Sequence, residues 1–329
     1  MRIGSHMVNL CNYDETLISK FIHEFKESLH SSPELGYSCI YRSSTFPKSR
    51  QVFGTTTEDG RTFAIKIDTE NDNGRLEKEF GVLKELFPYF QEKEQTQVIK
   101  PIYLSPGGQF HVTEFVDHKT AMQVIYSSKV HTQAGQAYRR AGQWLHELHS
   151  FKHARRDRFW FDWMFEEIDA ILCTAIPQAS ASEYRPYLEQ MHRDAIQLGN
   201  CEDTVVFSHG DFHCDNLILG RGVTYGLDFT EVSEKLAVYD IVDFLKADVF
   251  RVGTADEIDR SGILTHNKDM FFRKYRHPVN HDILDFCIRG RLLIDWLKVS
   301  KDHYARSSFL RKKFACLGDR LSLAFCSSI

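Results

Sequence analysis

The sequence predicts an α+β fold in two lobes: a five-stranded antiparallel sheet with one helix, followed by a mainly helical second part. Three observations predict it. Hydrophobic residues alternate in short runs up to about residue 120 and recur at helical spacing beyond it; the early runs are separated by turn-forming residues; and 329 residues suit two domains or one bilobed unit. A hydrophobic content of 42%, with 13% aromatic residues, is enough for a packed core.

Gly4-Ser5-His6-Met7 reads as a cleavage and cloning remnant, which puts the natural start near Met7. Residues 36–42 (GYSCIYR), 50–57 (RQVFGTTT) and 62–68 (TFAIKID) are rich in β-branched and aromatic residues. Pro47 and Glu58-Asp59-Gly60 punctuate them, so they predict an antiparallel meander. After Asn73-Gly74, Leu76, Phe80, Leu83 and Leu86 recur at helical spacing and predict a helix that stops where Pro88 intervenes. Residues 98–104 and 110–116 predict two more strands joined through Ser105-Pro106-Gly107-Gly108. The sheet-based lobe therefore spans residues 7–112, a connector covers 113–116, and residues 117–329 form the helical lobe. Helices are expected over 131–151, 161–176 and 283–300, interrupted by the strand-like runs VVFSHG and VTYGLDF.

Forty-one basic against 45 acidic side chains leave a net charge of -4, which excludes the basic footprint of a nucleic-acid binder. No apolar run approaches the roughly 18 residues of a membrane helix, and the start lacks a signal peptide's pattern, so a cytoplasmic protein without a transmembrane segment is expected. The eight cysteines are scattered and form no CxxC pair, as reduced thiols would be. Cys201, His209, His213 and Cys214 are close in sequence, but their spacing fits no common zinc finger or ribbon. Oligomeric state is not legible.

Residues 204–231, TVVFSHGDFHCDNLILGRGVTYGLDFTE, present Asp211, Asn216 and Asp228 around apolar strands. Phosphoryl transfer needs this set: a carboxylate near an acceptor hydroxyl, oxygen ligands for magnesium, and positive charge for the nucleotide phosphates. A candidate for the positive charge lies earlier. Lys66 is the one cation inside the apolar strand Phe63-Ala64-Ile65-Lys66-Ile67, a costly position unless paired, and Glu77 and Glu79 follow on the predicted helix.

The loop His209-Gly210-Asp211-Phe212-His213-Cys214-Asp215-Asn216, of the form H-G-D-x-H-x-x-N, resembles the catalytic loop of the aminoglycoside phosphotransferase and choline kinase-like superfamily. The order of further matches strengthens the resemblance: Lys66 in its strand, Glu79 in an E-x-x-x-L helix, Leu145-His146-Glu147-Leu148-His149 as L-x-x-L-H, and Asp228 in Gly226-Leu227-Asp228-Phe229. It implies a protein-kinase-like fold and an ATP- and Mg2+-dependent phosphotransferase acting on a hydroxyl of a small molecule. By this resemblance Asp211 is the catalytic base, Asn216 and Asp228 hold the metal, and Lys66 with Glu79 serves the α- and β-phosphates. Backbone groups of 113–116, with Glu114 and Val116 as candidates, would meet adenine. Val238-Tyr239-Asp240-Ile241-Val242-Asp243 resembles the family's next helix, in which Asp240 and Asp243 are expected to be structural. His209 is expected to brace the loop, His146 and His149 to pack in the core, and His213 stays open between brace and substrate contact.

The chain departs from the family pattern at Cys214-Asp215, where the commonest loop has Pro-Gly. The turn Ser43-Ser44-Thr45-Phe46-Pro47-Lys48-Ser49 has no glycine, which disfavours a protein kinase and leaves Ser44 and Thr45 as candidate phosphate contacts. The acceptor, whether aminoglycoside, amino alcohol or sugar-like, is not specified. Asp162, Glu166, Glu167 and Asp169, like the basic residues Arg306, Arg311, Lys312, Lys313 and Arg320, read first as solvated faces. A nucleotide-binding module without turnover is the alternative, and a metal-dependent hydrolase, whose histidine cluster is incomplete here, is a more distant one.

Overall fold

A computed structural model describes residues 14–29, 36–43, 45–70, 73–128 and 131–326. The chain divides into two compact units, one running to His118 and including Leu227–Thr230, the other comprising Lys119–Gly226 and the chain from Glu231 onward.

The first unit contains, in order, α1 (Glu15–Ser28), β1 (Gly36–Arg42), β2 (Arg50–Thr56), β3 (Thr62–Asp68), α2 (Arg75–Gln91), β4 (Thr96–Val98), β5 (Pro101–Leu104) and β6 (Phe110–Glu114). The five-stranded antiparallel sheet has the order β1-β2-β3-β6-β5. Because side chains alternate across a strand, Phe63, Ile65 and Ile67 of β3 and Phe110 and Val112 of β6 share one face. They pack on Ile18, Phe21, Ile22 and Phe25, which recur at i, i+3, i+4 and i+7 along α1. The ring pairs Phe25–Phe63 and Phe21–Phe110, 5.2 and 5.0 Å between centroids, join helix to sheet. Lys66 and His111, paired across β3 and β6, belong to the opposite face.

The expectations for this unit are corrected in part. Helix α1 was not anticipated. Helix α2 does not stop at Pro88 but runs to Gln91, since a proline in the last turn removes only the N–H that would reach back to Lys84. Its buried stripe is Leu76, Glu79, Leu83, Leu86 and Phe90, with Glu79 in the place given to Phe80. The strand over 98–104 breaks at Ile99-Lys100, where the Lys100 N–H bonds the Glu114 carboxylate at 3.0 Å, and the strand over 110–116 ends at Glu114.

The second unit contains α3 (Ala121–Ser127), α4 (His131–His149), β7 (Arg155–Arg158), α5 (Asp162–Thr174), α6 (Ala181–Leu198), β8 (Glu202–Ser208), β9 (Leu217–Leu219), β10 (Thr224–Gly226), β11 (Ser233–Leu236), α7 (Ala237–Leu245), α8 (Thr265–Phe272), α9 (His281–Leu297), α10 (Lys301–Arg306) and α11 (Ser308–Cys326). Strand β8 is the centre of β11-β8-β7, and β9 and β10 form a hairpin. Helix α9 is buried on nearly every side and is the axis of the unit. Helices α4 and α8 meet so closely that a methyl at Gly142 would stand 2.1 Å from the Phe271 carbonyl oxygen.

Among the charged runs read as solvated, Asp162, Glu166 and Asp169 are exposed, as are Arg306, Arg311 and Lys312. Arg320 is not: it is 3% exposed and lies on the Leu317, Leu321, Ala324 side of α11. Its guanidinium donates to the carbonyls of Gly262 and Arg251 at 2.9 and 2.7 Å and sits 3.2 Å from the Asp248 carboxylate. Among the described residues no helix is long and apolar enough to cross a membrane.

Candidate active site

In the first unit the strand cation meets two carboxylates. Lys66 Nζ donates to Glu79 Oε2 at 2.7 Å and to Asp228 Oδ1 at 2.8 Å. Helix periodicity turns Glu79 inward, where it is 1% exposed, and strand alternation aims Lys66 at it. Burial alone would pull the Lys66 ammonium down, but Glu79 and Asp228 together outweigh it and hold the pKa above the ordinary lysine value. Burial would likewise push Glu79 up; Lys66 and His111 outweigh it and hold the carboxyl well below its usual range.

His111 is the group sequence reasoning missed. Its Nε2 lies 3.2 Å from Glu79 Oε2, and since an ionised carboxylate only accepts, that nitrogen carries the proton. The signal available was a histidine between the apolar Phe110 and Val112 of a strand, but its partner is 32 residues away.

Asp228 has φ +64, the one positive φ outside glycine among the described residues. Aspartate tolerates this left-handed conformation better than most residues, and such strain collects at functional positions. Thr230 Oγ1 donates to Asp228 Oδ1 at 3.2 Å and receives a bond from Arg75 at 2.9 Å, so the carboxylate is held from two sides.

The catalytic-loop candidate belongs to the second unit and is fixed through its backbone. Asp240, fully buried on α7, accepts from the N–H groups of His209 at 2.7 Å and Gly210 at 2.9 Å and from His149 Nε2 at 3.0 Å. His149 Nδ1 in turn meets the Tyr275 hydroxyl at 2.7 Å. Burial would raise the Asp240 carboxyl, but His149 and the loop amides outweigh that and hold it below the ordinary range. Gly210 has φ +82, and a Cβ there would stand 2.1 Å from the Glu231 carbonyl oxygen, so no other residue fits the turn. Phe212 is the apolar anchor, stacked on Trp144 and Phe244 at 5.4 and 5.2 Å.

On this frame Asp211 presents a carboxylate that is 48% exposed, 3.6 Å from His213 Nε2. His213 Nδ1 accepts the Asp215 N–H, so this histidine braces the loop at the least. Asn216, 5% exposed, donates its amide N–H to the Asp211 carbonyl at 2.8 Å, which leaves its oxygen as the acceptor end. The departure Cys214-Asp215 is accommodated structurally. Cys214 is buried, with its thiol pushed up to about 12 by burial and by Asp215, while Asp215 accepts from the Thr120 hydroxyl at 3.1 Å.

The remaining predicted contacts separate. Ser44 lies outside the described residues, and Thr45 is in an exposed bend. The Glu114 N–H bonds the Lys100 carbonyl and the Phe115 N–H the Thr62 carbonyl. The Val116 N–H makes no hydrogen bond among the described residues, while its carbonyl accepts from His118.

A family model described as a phosphotransferase enzyme family matches residues 48–268, well over half of the sequence. The chain belongs to that family. It is therefore a phosphotransferase acting on hydroxyl groups. Among curated proteins none matches it in sequence. Solved structures of the same fold include a spectinomycin phosphotransferase bound to ADP and spectinomycin, 13% identical over 94% of this chain and 98% of that one, with a TM-score of 0.61. The choline kinase LicA of Streptococcus pneumoniae is 14% identical over 93% and 98%, TM-score 0.57. An aminoglycoside 2'-phosphotransferase IIIa in a GDP complex is 10% identical over 96% and 100%, TM-score 0.63. The α+β, protein-kinase-like fold expected from the sequence is the fold of these structures.

Proposed function

We propose that this phosphotransferase moves the γ-phosphoryl group of ATP, with Mg2+, to a hydroxyl of a small molecule, with Asp211 as the base. The observation that carries the reading is the partly buried cation Lys66 held at 2.7 and 2.8 Å by Glu79 and Asp228. A cation so paired is fixed in direction and remains charged, as a phosphate contact requires.

Asn216 and Asp228 offer an amide oxygen and a carboxylate, the hard oxygen donors that suit magnesium, and these two residues would hold it. When bound, the ion neutralises charge on the nucleotide phosphates. The acceptor hydroxyl is oriented by Asp211, which takes its proton as the acceptor oxygen bonds to phosphorus. The bond from that phosphorus to the β–γ bridging oxygen breaks, the products are ADP and a phosphate monoester, and the proton passes from Asp211 to solvent. Val116, with its unengaged N–H, and the Glu114 carbonyl are assigned to adenine, and the backbone of Thr45 to a phosphate. The free thiols of Cys39, Cys173, Cys201, Cys214, Cys287, Cys316 and Cys326 support a cytoplasmic setting.

The test is ADP release from ATP and Mg2+ across hydroxyl acceptors of different charge. Acceptor-dependent release that Asp211→Asn abolishes, in a protein that still melts cooperatively and binds nucleotide, is the expected result. Nucleotide binding with no acceptor-dependent release from any compound would instead mark a binding module without turnover.

A further inference from the structure

The second unit contains a cavity of about 450 Å³, within the range of small-molecule sites, and Gly210, bonded directly to Asp211, is part of its wall. We infer that the hydroxyl acceptor received there carries an anionic group, a carboxylate or a phosphate, bound by Arg291. The inference rests on the phosphotransferase reading and adds the chemical class of the substrate.

Charge on the wall decides the class. Each carboxylate lining the cavity already has a partner. Arg155 Nη1 meets Asp157 at 2.5 Å, and its Nε stands 3.8 Å from Glu234. Asp243 is 2.8 Å from Lys246 and 3.4 Å from Arg291. Asp240 holds the two loop amides and His149. Among the described wall carboxylates only Glu234, exposed and 3.8 Å from an arginine that Asp157 already holds, is weakly partnered, so a polycation would meet one such acid while facing Lys235 and Arg291.

The cations are in the opposite position. Lys235 has no ion-pair partner among the described residues. Arg158 donates to the Gly199 carbonyl at 2.7 Å and to Asn200 Oδ1 at 3.0 Å, both neutral acceptors. Arg291 is only loosely engaged: its distances to Asp243 and Glu167 are 3.4 and 3.8 Å, and each of those acids has a closer lysine, Lys246 at 2.8 Å and Lys298 at 2.5 Å. Its Nε is buried without a hydrogen-bond partner. An oxyanion entering the cavity would pair with the Nη groups, whose distances to Asp243 and Glu167 leave room for a closer charge-assisted bond.

The rest of the wall is suited to a carbon skeleton. Trp163 Nε1 donates to the Tyr239 hydroxyl at 3.3 Å, that hydroxyl donates to the Trp160 carbonyl at 3.0 Å, and Trp160 Nε1 donates to Asp162 at 2.9 Å. With their polar atoms engaged by one another, these aromatics offer ring faces. Arg291 lies over Trp163, 5.6 Å from the ring centroid, so the oxyanion site and the apolar wall are contiguous.

The experiment compares four sets of acceptors with the full chain, ATP and Mg2+: hydroxy acids (D-glycerate, gluconate), sugar and polyol phosphates (ribose 5-phosphate, glycerol 3-phosphate), neutral polyols (ribose, glucose, myo-inositol) and cations (choline, kanamycin). Turnover confined to one of the two anionic sets is expected, and which of them responds separates carboxylate from phosphate. Arg291→Gln should raise the KM for that anion about tenfold to a hundredfold, more than it lowers kcat, with partial recovery in Arg291→Lys. If Arg291→Gln does not fold, Lys235→Ala on the exposed strand should raise the same KM by a smaller factor. Asp211-dependent turnover of a neutral or cationic acceptor overturns the inference while leaving the phosphotransferase reading intact. Failure of every anion to bind in calorimetry with the non-hydrolysable ATP analogue present overturns it as well, and loss of ATP hydrolysis in Asp211→Asn reports separately on the reaction.

Discussion

Lys66 and Asp211 are held in opposite ways. Lys66 is fixed by other charges, its ammonium between Glu79 and Asp228, with His111 closing the back of Glu79. Asp211 is fixed by its backbone: the carboxylate is half exposed, while Asp240 holds the preceding amides, Phe212 stacks in the core and Asn216 bonds its carbonyl. The difference matches the two tasks. A group that must meet phosphate charge is best kept ionised and aimed by counter-charges. A group that must take a proton from a hydroxyl is best left exposed on a rigid frame.

The largest effect that can break this comparison is at Asp211. Asp211→Asn should lower kcat about a thousandfold, with the melting temperature and nucleotide affinity nearly unchanged, because the frame does not depend on that side chain. Lys66→Met should instead damage stability as well as turnover. Removing one partner of a buried pair costs about 3 kcal/mol, and Lys66→Met combined with Glu79→Gln should be less destabilised than the two single changes summed, by about 1–3 kcal/mol in chemical denaturation. Additive losses would mean that the pair does not hold Lys66.

Asp240→Asn tests the frame itself. It should cost about 2 kcal/mol and lower kcat roughly tenfold or more while leaving the affinity for nucleotide in place, since Asp240 acts on the loop through two amides. A loss of nucleotide affinity equal to the loss of kcat would assign Asp240 a general structural role instead.

The pH dependence of stability sharpens the comparison further. Glu79 and Asp240 both have carboxyls held below their ordinary range, so each contributes stability that is complete above about pH 4 and lost as pH falls through the depressed value. Lys66, raised, contributes stability present below about pH 10 and lost only as pH climbs through its folded value. The melting temperature should therefore fall steeply below pH 4, and Glu79→Gln should show a shallower acid slope than the parent. The smallest effect is expected at the exposed acids of α5: Glu166→Gln with Asp169→Asn should change stability by less than about 0.5 kcal/mol and leave turnover unaltered.

Much of the first unit and of both charged groups was legible because the relevant signals are local. A single cation in an apolar strand picked out Lys66, and resemblance to the family's motifs named Glu79, Asp211, Asn216 and Asp228 before any contact was known. Non-local partners were not legible. His111 joins Glu79 only when β6 pairs with β3, and Arg291 reaches its cavity from a helix some eighty residues beyond Asp211. Two misses had signals that were passed over. Ile18, Phe21, Ile22 and Phe25 have full helical periodicity, and Arg320 shares a stripe with Leu317, Leu321 and Ala324, which charge alone concealed. Pro88 misled because proline's penalty depends on its position in a helix, and the last turn has few bonds left to lose.

Arg320 also bears on how the protein tolerates trimming. Its guanidinium fastens α11 to the Gly262 and Arg251 carbonyls and to Asp248, a carboxylate that Asn267 and the Leu264 amide also hold. Cutting the chain ahead of residue 320 would strip from that carboxylate the guanidinium 3.2 Å from it and take the Arg320 donors from the Gly262 and Arg251 carbonyls. Shortened variants should then be recovered as insoluble material, whereas a fusion placed after Cys326 keeps the latch closed.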